Sequence, residues 1–95
     1  MLIAFHGIDR ADSASLRAAT RPAHLAFQSE RRNLVGGPLR DGDGNVCGSL
    51  IVFDATDIAT ATAEMAEDPY VQADLFEHIS ITQFVAMDWP TDTDH

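Results

Sequence analysis

Ninety-five residues, 45% hydrophobic and 22% charged, match one ordinary globular domain and leave too little chain for two cores. Six Lys+Arg against fifteen Asp+Glu set the formal charge at −9. That balance argues against nucleic acid, whose phosphates must be neutralised, and against anionic membrane surfaces. A domain this small buries a modest share of its surface, so a second copy would add useful burial.

The opening run, Met1 to Gly7, has no basic segment ahead of its short apolar stretch and reads as a strand, not a signal peptide. No run approaches the length of a membrane span. Cys47 is the single cysteine and sits in an apolar stretch, where a small buried hydrophobe is expected. A cytoplasmic location is the expectation from these features.

Leu2 to Ile8 is apolar on both alternating faces, with Ile3 and Phe5 on one and Leu2, Ala4 and Ile8 on the other. Asp12 or Ser13 is placed to cap a helix. Leu16, Ala19, Ala23, Ala26 and Phe27 then recur at helical spacing, which predicts an amphipathic helix to about Arg32 with those residues inward. Pro22 should kink this helix or split it. Leu34 to Arg40 is a weaker strand whose Pro38 cannot donate to a ladder, placing it at a sheet edge or on a bulge.

Asp41-Gly42-Asp43-Gly44-Asn45 is a hairpin turn. It imitates a calcium loop, but Val46 stands where glycine is needed and Val52 where glutamate is needed, so no metal is expected. Cys47 to Phe53 is the return strand, apolar on both faces. Thr56 or Asp54 is expected to cap a second helix with Ile58, Ala61, Met65 and Ala66 inward, ended by Asp68-Pro69. Pro69 opens a short helix through Leu75, and Glu77 to Val85 alternates as a last strand. The acidic segment 87–95 is expected to be a flexible tail behind a domain spanning 1–86.

The order β-α-β-β-α-β predicts an α+β, ferredoxin-like antiparallel sheet with both helices on one face. The first and third strands, apolar on both sides, fall at its centre. The uncovered face then calls for a homodimer packed sheet to sheet.

On the first helix Arg17, Arg21, His24 and Gln28 form a polar stripe, read for Arg17 and Gln28 as a solvated face. Asp68 before Pro69 is a natural helix cap, and the same position makes it a fixed carboxylate able to orient an imidazole. His78 reads as a surface or interface residue, His6 as facing either the dimer contact or a pocket, and Tyr70 as packing with a phenol able to reach a ligand. Ser49 lies in no nucleophile-elbow pattern.

The run Arg21-Pro22-Ala23-His24-Leu25, then Gly37-Pro38, Gly48-Ser49, Asp68-Pro69-Tyr70-Val71 and Glu77-His78-Ile79-Ser80-Ile81 resembles the YCII-related family in spelling and order. The likeness spans residues 1 to 86. It implies a dimeric α+β barrel and a pocket holding a His–Asp pair, matched here by His24 and Asp68. A related member eliminates chloride from a chlorinated hydroxyquinol, and muconolactone isomerases share the architecture. Two departures stand out: a shorter hairpin between the second and third strands, and the acidic tail.

Together these readings give the expectation of a cofactor-independent enzyme moving a proton on a small organic acid or hydroxylated ring, by elimination or isomerisation. His24 would act as base and acid, and Asp68 would hold its tautomer. Arg17 or Arg21 would attract the anion, and Gly37, Pro38, Ser49 and Tyr70 would line the pocket. The alternatives are a non-catalytic small-molecule sensor or accessory subunit using the same pocket, and an adaptor pairing through its sheet face.

Overall fold

Strand and helix alternate in the chain as β1 (Leu2–Asp9), α1 (Ala14–Ser29), β2 (Asn33–Arg40), β3 (Val46–Asp54), α2 (Ile58–Met65), α3 (Pro69–Gln72) and β4 (Phe76–Gln83). These come from a computed structural model, which describes residues 1–88. The expected tail falls mostly on 89–95, outside the described residues. The four strands form one antiparallel sheet in the order β2-β3-β1-β4. This is the ferredoxin-like α+β arrangement, with the doubly apolar strands β1 and β3 at its centre.

Pleating divides the residues between faces. Ile3 and Phe5 of β1 lie opposite Phe53 and Ile51 of β3 on the helix side. They join Ala61 and Met65 of α2, Tyr70 of α3, Leu75 and Phe76 in one buried cluster. Gly7 is needed in this layer because the Phe76 ring lies over it, 2.6 Å from where a Cβ would sit. On the other face His6 stands opposite Leu50 and Ser80, and Ile8 opposite His78. Val35, Ile8 and Leu50 are exposed there.

β2 is the edge strand that Pro38 demands, pairing only with β3 and breaking register between Asn33 and Val35 and between Leu39 and Arg40. The hairpin turn closes through the Asp41 carboxylate, which accepts from the N–H groups of Asp43 and Asn45 at 3.0 Å each. Gly44 supplies the positive φ of 83°.

Several local expectations fail. α1 runs unbroken through Pro22 and ends at Ser29. Pro22 is exposed on its outer side, so the carbonyl its missing N–H leaves unpaired can meet water. α2 is capped by Asp57, whose side chain accepts from Thr60 N–H at 2.7 Å. Asp54 instead accepts from the terminal amine at 3.1 Å. Ile58 and Ala66 point outward, leaving Ala61 and Met65 as the buried side of α2. α3 stops at Gln72, and Leu75 is buried without being helical. Cys47 is exposed, because it lies next to the hairpin turn at the register shift opposite Leu39 and Arg40, where its side chain is left outside the paired ladder.

The largest error concerns α1. Of its expected inner residues, Leu16, Ala19, Ala23 and Ala26 are exposed, Leu16 at 39%, and Phe27 is half-buried. Its one buried residue is Gln28. The polar stripe is the inward side.

Candidate functional site

Turning its polar stripe inward, α1 stands off the β2–β3 edge of the sheet and leaves a cleft of about 820 Å³ between helix and strands. That volume lies within the usual range for small-molecule sites, ~300–1,000 Å³. Arg17, Arg21 and His24 line it from α1, and Gly37 and Pro38 from β2. Ser49 of β3 and Tyr70 of α3 complete the polar floor. Leu25, Leu34, Val46 and Ile51 make much of the remaining surface apolar.

Asp68 sits behind this lining, 1% exposed. The turn before α3 puts it there. As the N-cap its Oδ1 accepts from Tyr70 N–H at 2.7 Å. His24 and Asp68, 44 positions apart in sequence, meet with Nδ1 2.8 Å from Oδ2 and 3.0 Å from Oδ1. Gln28 Nε2 donates to the same Oδ2 at 2.6 Å. Asn33 Nδ2 in turn donates to Gln28 Oε1 at 2.9 Å, which fixes the amide's orientation. A buried carboxylate surrounded by donors acts as an acceptor at every contact. The imidazole must therefore present Nδ1 as N–H. In the neutral ring Nε2 then carries the lone pair; it makes no hydrogen bond among the described residues, and the residue lines the cleft.

Tyr70 fixes the plane of that ring. The two rings stack with centroids 3.9 Å apart and planes 20° apart. The Arg17 guanidinium lies 4.8 Å from the Tyr70 centroid. Burial raises the Tyr70 phenol above its ordinary value, against the opposing pull of the Arg17 and Arg21 charges, and Asp68 adds to the rise.

Arg17 is committed elsewhere. Its Nε and Nη2 reach the two Asp9 oxygens at 2.8 Å each, and Nη2 also donates to Ser49 Oγ at 2.8 Å. Burial works against its charge, but the hydrogen-bonded Asp9 carboxylate more than offsets this and holds the guanidinium above its ordinary value. Neither Arg17 nor Gln28 is the solvated residue its place on a polar stripe suggested. His6 and His78 fall on the opposite side of the sheet from the cleft.

Asp9, Gln28 and Asn33 belong to this constellation and were missed in the sequence. Asp9 looks like a strand exit, and Gln28 like one more polar helix residue. One signal for Gln28 was available. It lies at i+4 from His24 on the same stripe, so a histidine turned inward carries the glutamine with it.

A model of the YCII-related domain matches residues 1–85. Protein YciI from Escherichia coli and from Shigella flexneri is in each case 35% identical over 94 residues, covering 88% of this chain and 96% of the relative. Among solved structures, 5-chloro-2-hydroxyhydroquinone dehydrochlorinase from Burkholderia phenoliruptrix, in complex with 2,5-dihydroxybenzoquinone, is similar. Its TM-score is 0.83 at 25% identity, over 90% of this chain and 94% of that one. A NIPSNAP domain protein from Burkholderia xenovorans shares the fold alone, with a TM-score of 0.55 at 17% identity over 97% of this chain and 100% of that one. No helix among the described residues is long and apolar enough to cross a membrane. The match over nearly the whole length, together with the identity to the two relatives, settles descent: the chain belongs to the YCII-related family.

Proposed function

We propose that this protein is a small enzyme that moves a proton on a small organic acid or hydroxylated ring bound in the cleft between α1 and β2. The observation that carries this reading is the Asp68 carboxylate, committed as acceptor to His24, Gln28 and the Tyr70 N–H, so that in the neutral ring of this cleft-lining histidine the lone pair is held at Nε2. His24 is the general base. It takes a proton from an sp3 carbon beside a carbonyl, which a hydroxylated ring offers in its keto tautomer, and the electron pair left behind forms a carbon–carbon double bond. In an elimination that pair expels an anion from the neighbouring carbon, and the imidazolium returns its proton to solvent. In an isomerisation the proton goes back to a different carbon. Asp68 orients the ring and stabilises the imidazolium, while Tyr70 holds its plane. No cofactor is invoked. The likeness to a dehydrochlorinase supports elimination as the first reaction to assay.

Val35, Leu50 and Ile8 on the uncovered sheet face support a homodimer. A sensor or accessory subunit would use the same cleft, and the cleft's presence weighs against a plain adaptor. The sensor differs in one respect, since it has no use for a pinned tautomer.

The test is solvent exchange. In D2O, small organic acids and hydroxylated aromatics are incubated with the protein and followed by NMR, while chloride release is followed from 5-chloro-2-hydroxyhydroquinone. The reading expects deuterium incorporation or chloride release that falls at least ~100-fold in His24→Gln, as general acid–base catalysis is commonly worth that much. Binding of these compounds with no difference in turnover between wild type and His24→Gln favours the sensor.

A further inference from the structure

The chain holds six basic side chains, all arginine, against fifteen acidic ones. Three of the six, Arg17, Arg21 and Arg40, line the cleft, and among the described residues Asp9 is the one acid that does so. An acidic protein has thus gathered half its cations around one concavity. The surrounding negative surface would repel an anion, and a local cation cluster in a low-dielectric cleft reverses that field where it counts.

These arginines are not equivalent. Arg17 is bound in a two-point pair with Asp9, the two side chains 11% and 8% exposed, so together they carry no net charge into the cleft. Elsewhere, Arg10 pairs with Asp74 and Arg31 with Glu64. Among the described residues neither Arg21 nor Arg40 has an acidic partner; Arg40 donates to the Gly44 carbonyl at 3.1 Å and Arg21 makes no side-chain hydrogen bond. Arg21 is placed one turn before His24 on the same face of α1, and its charge is felt at the Tyr70 phenol beneath. Arg40 stands across the cleft at the hairpin end of β2.

We infer that the cleft selects anionic ligands, and that Arg21, assisted by Arg40, is the residue that recognises the anion, with Arg17 serving to fix Asp9, Ser49 and Tyr70. The ligand class is a small carboxylate or ionised enol on an apolar, ring-sized body. The charge meets Arg21, and Leu25, Leu34 and Pro38 receive the body. This rests on the proposal that the cleft is the ligand site, but not on the chemistry assigned to His24.

Two matched probes test it, 2,5-dihydroxybenzoate and its neutral amide, 2,5-dihydroxybenzamide, titrated by NMR or calorimetry. The expected result is at least tenfold tighter binding of the carboxylate. That preference weakens as ionic strength rises, disappears in Arg21→Gln, and falls severalfold in Arg40→Gln. Far-ultraviolet circular dichroism confirms that each variant is folded, which its exposed position favours. Equal affinity for the two probes overturns the inference, as does failure of both to bind at millimolar concentration, or a preference that survives Arg21→Gln. An inactive dyad with the carboxylate preference intact removes only the proposed reaction. A proton-transferring His24 with no such preference removes only this inference.

Discussion

The two halves of the helix-covered face are built to opposite rules. Under α2 and α3, short helices bury what they have: Ala61, Met65 and Tyr70 meet Ile3, Phe5, Phe53 and Phe76 in a continuous apolar layer. Under α1, a helix of sixteen residues buries one, and that one is polar. The edge strand below it, β2, is exposed along nearly its whole length. Packing holds the first half together, while the second is held by hydrogen bonds running from Asn33 through Gln28 to Asp68, and by the Arg17–Asp9 pair. A small domain cannot line a cleft with polar groups and close a core in the same place. This one assigns each task to one side of the sheet.

The contrast can be broken most directly with truncations on the two sides. Phe5→Ala should cost about 3–5 kcal/mol, as large core deletions do. Leu16→Ala, on the outer face of α1, should stay within about 0.5 kcal/mol. Urea unfolding measures both, and a Leu16→Ala loss comparable to that of Phe5→Ala would mean that α1 packs through its apolar stripe after all.

Gln28→Met sharpens the contrast from the polar side. The change keeps the volume but leaves an Asp68 lone pair and an Asn33 N–H without their partner, so a loss of about 1–3 kcal/mol is expected. Were α1 held by apolar burial, the same substitution should be neutral or stabilising.

A smaller effect appears only in alkali. The Tyr70 phenol is raised above the ordinary tyrosine value of about 10, so the folded state keeps a proton that the unfolded chain gives up. The stability this contributes is complete below that ordinary value and is lost as pH climbs through the higher folded one. Tyr70 is the single tyrosine in the chain, so phenolate absorbance reads its titration without interference. Tyr70→Phe should remove this part of the alkaline loss. A phenol that titrates at or below its ordinary value would contradict its burial against His24.

The same division explains which features could be read before the structure. β1 and β3 are largely apolar on both faces, so their central place followed from composition, and Pro38 put β2 at the edge. α1 misled because hydrophobic periodicity assumes that the inward side meets a core. Its stripe of Ala19, Ala23 and Ala26 with Leu16 is small-sided and costs little to expose, whereas Arg17, His24 and Gln28 gain partners by turning in. His24 and Asp68 were found through family spelling, since nothing in their spacing says that they meet. Asp9, Gln28 and Asn33 carried no such spelling. Gln28 owes its role to Asp68, 40 positions away, and Asn33 acts through Gln28, while the Arg17 that Asp9 holds reaches Ser49, 32 positions away; these long-range meetings exist only once the chain has folded.

The tautomer of His24 bears most directly on the proposed chemistry, and nitrogen-15 NMR reads it in the neutral ring without any substrate. With Asp68 accepting from Nδ1, the wild-type protein should show Nδ1 protonated and Nε2 bare. Asp68→Asn keeps the helix cap, because asparagine caps as well as aspartate, but offers only one acceptor oxygen to three donors. In that variant the tautomers should mix and turnover should fall. A wild-type ring carrying its proton on Nε2, unchanged by Asp68→Asn, would leave His24 without a free base facing the cleft and would contradict the proton-transfer mechanism.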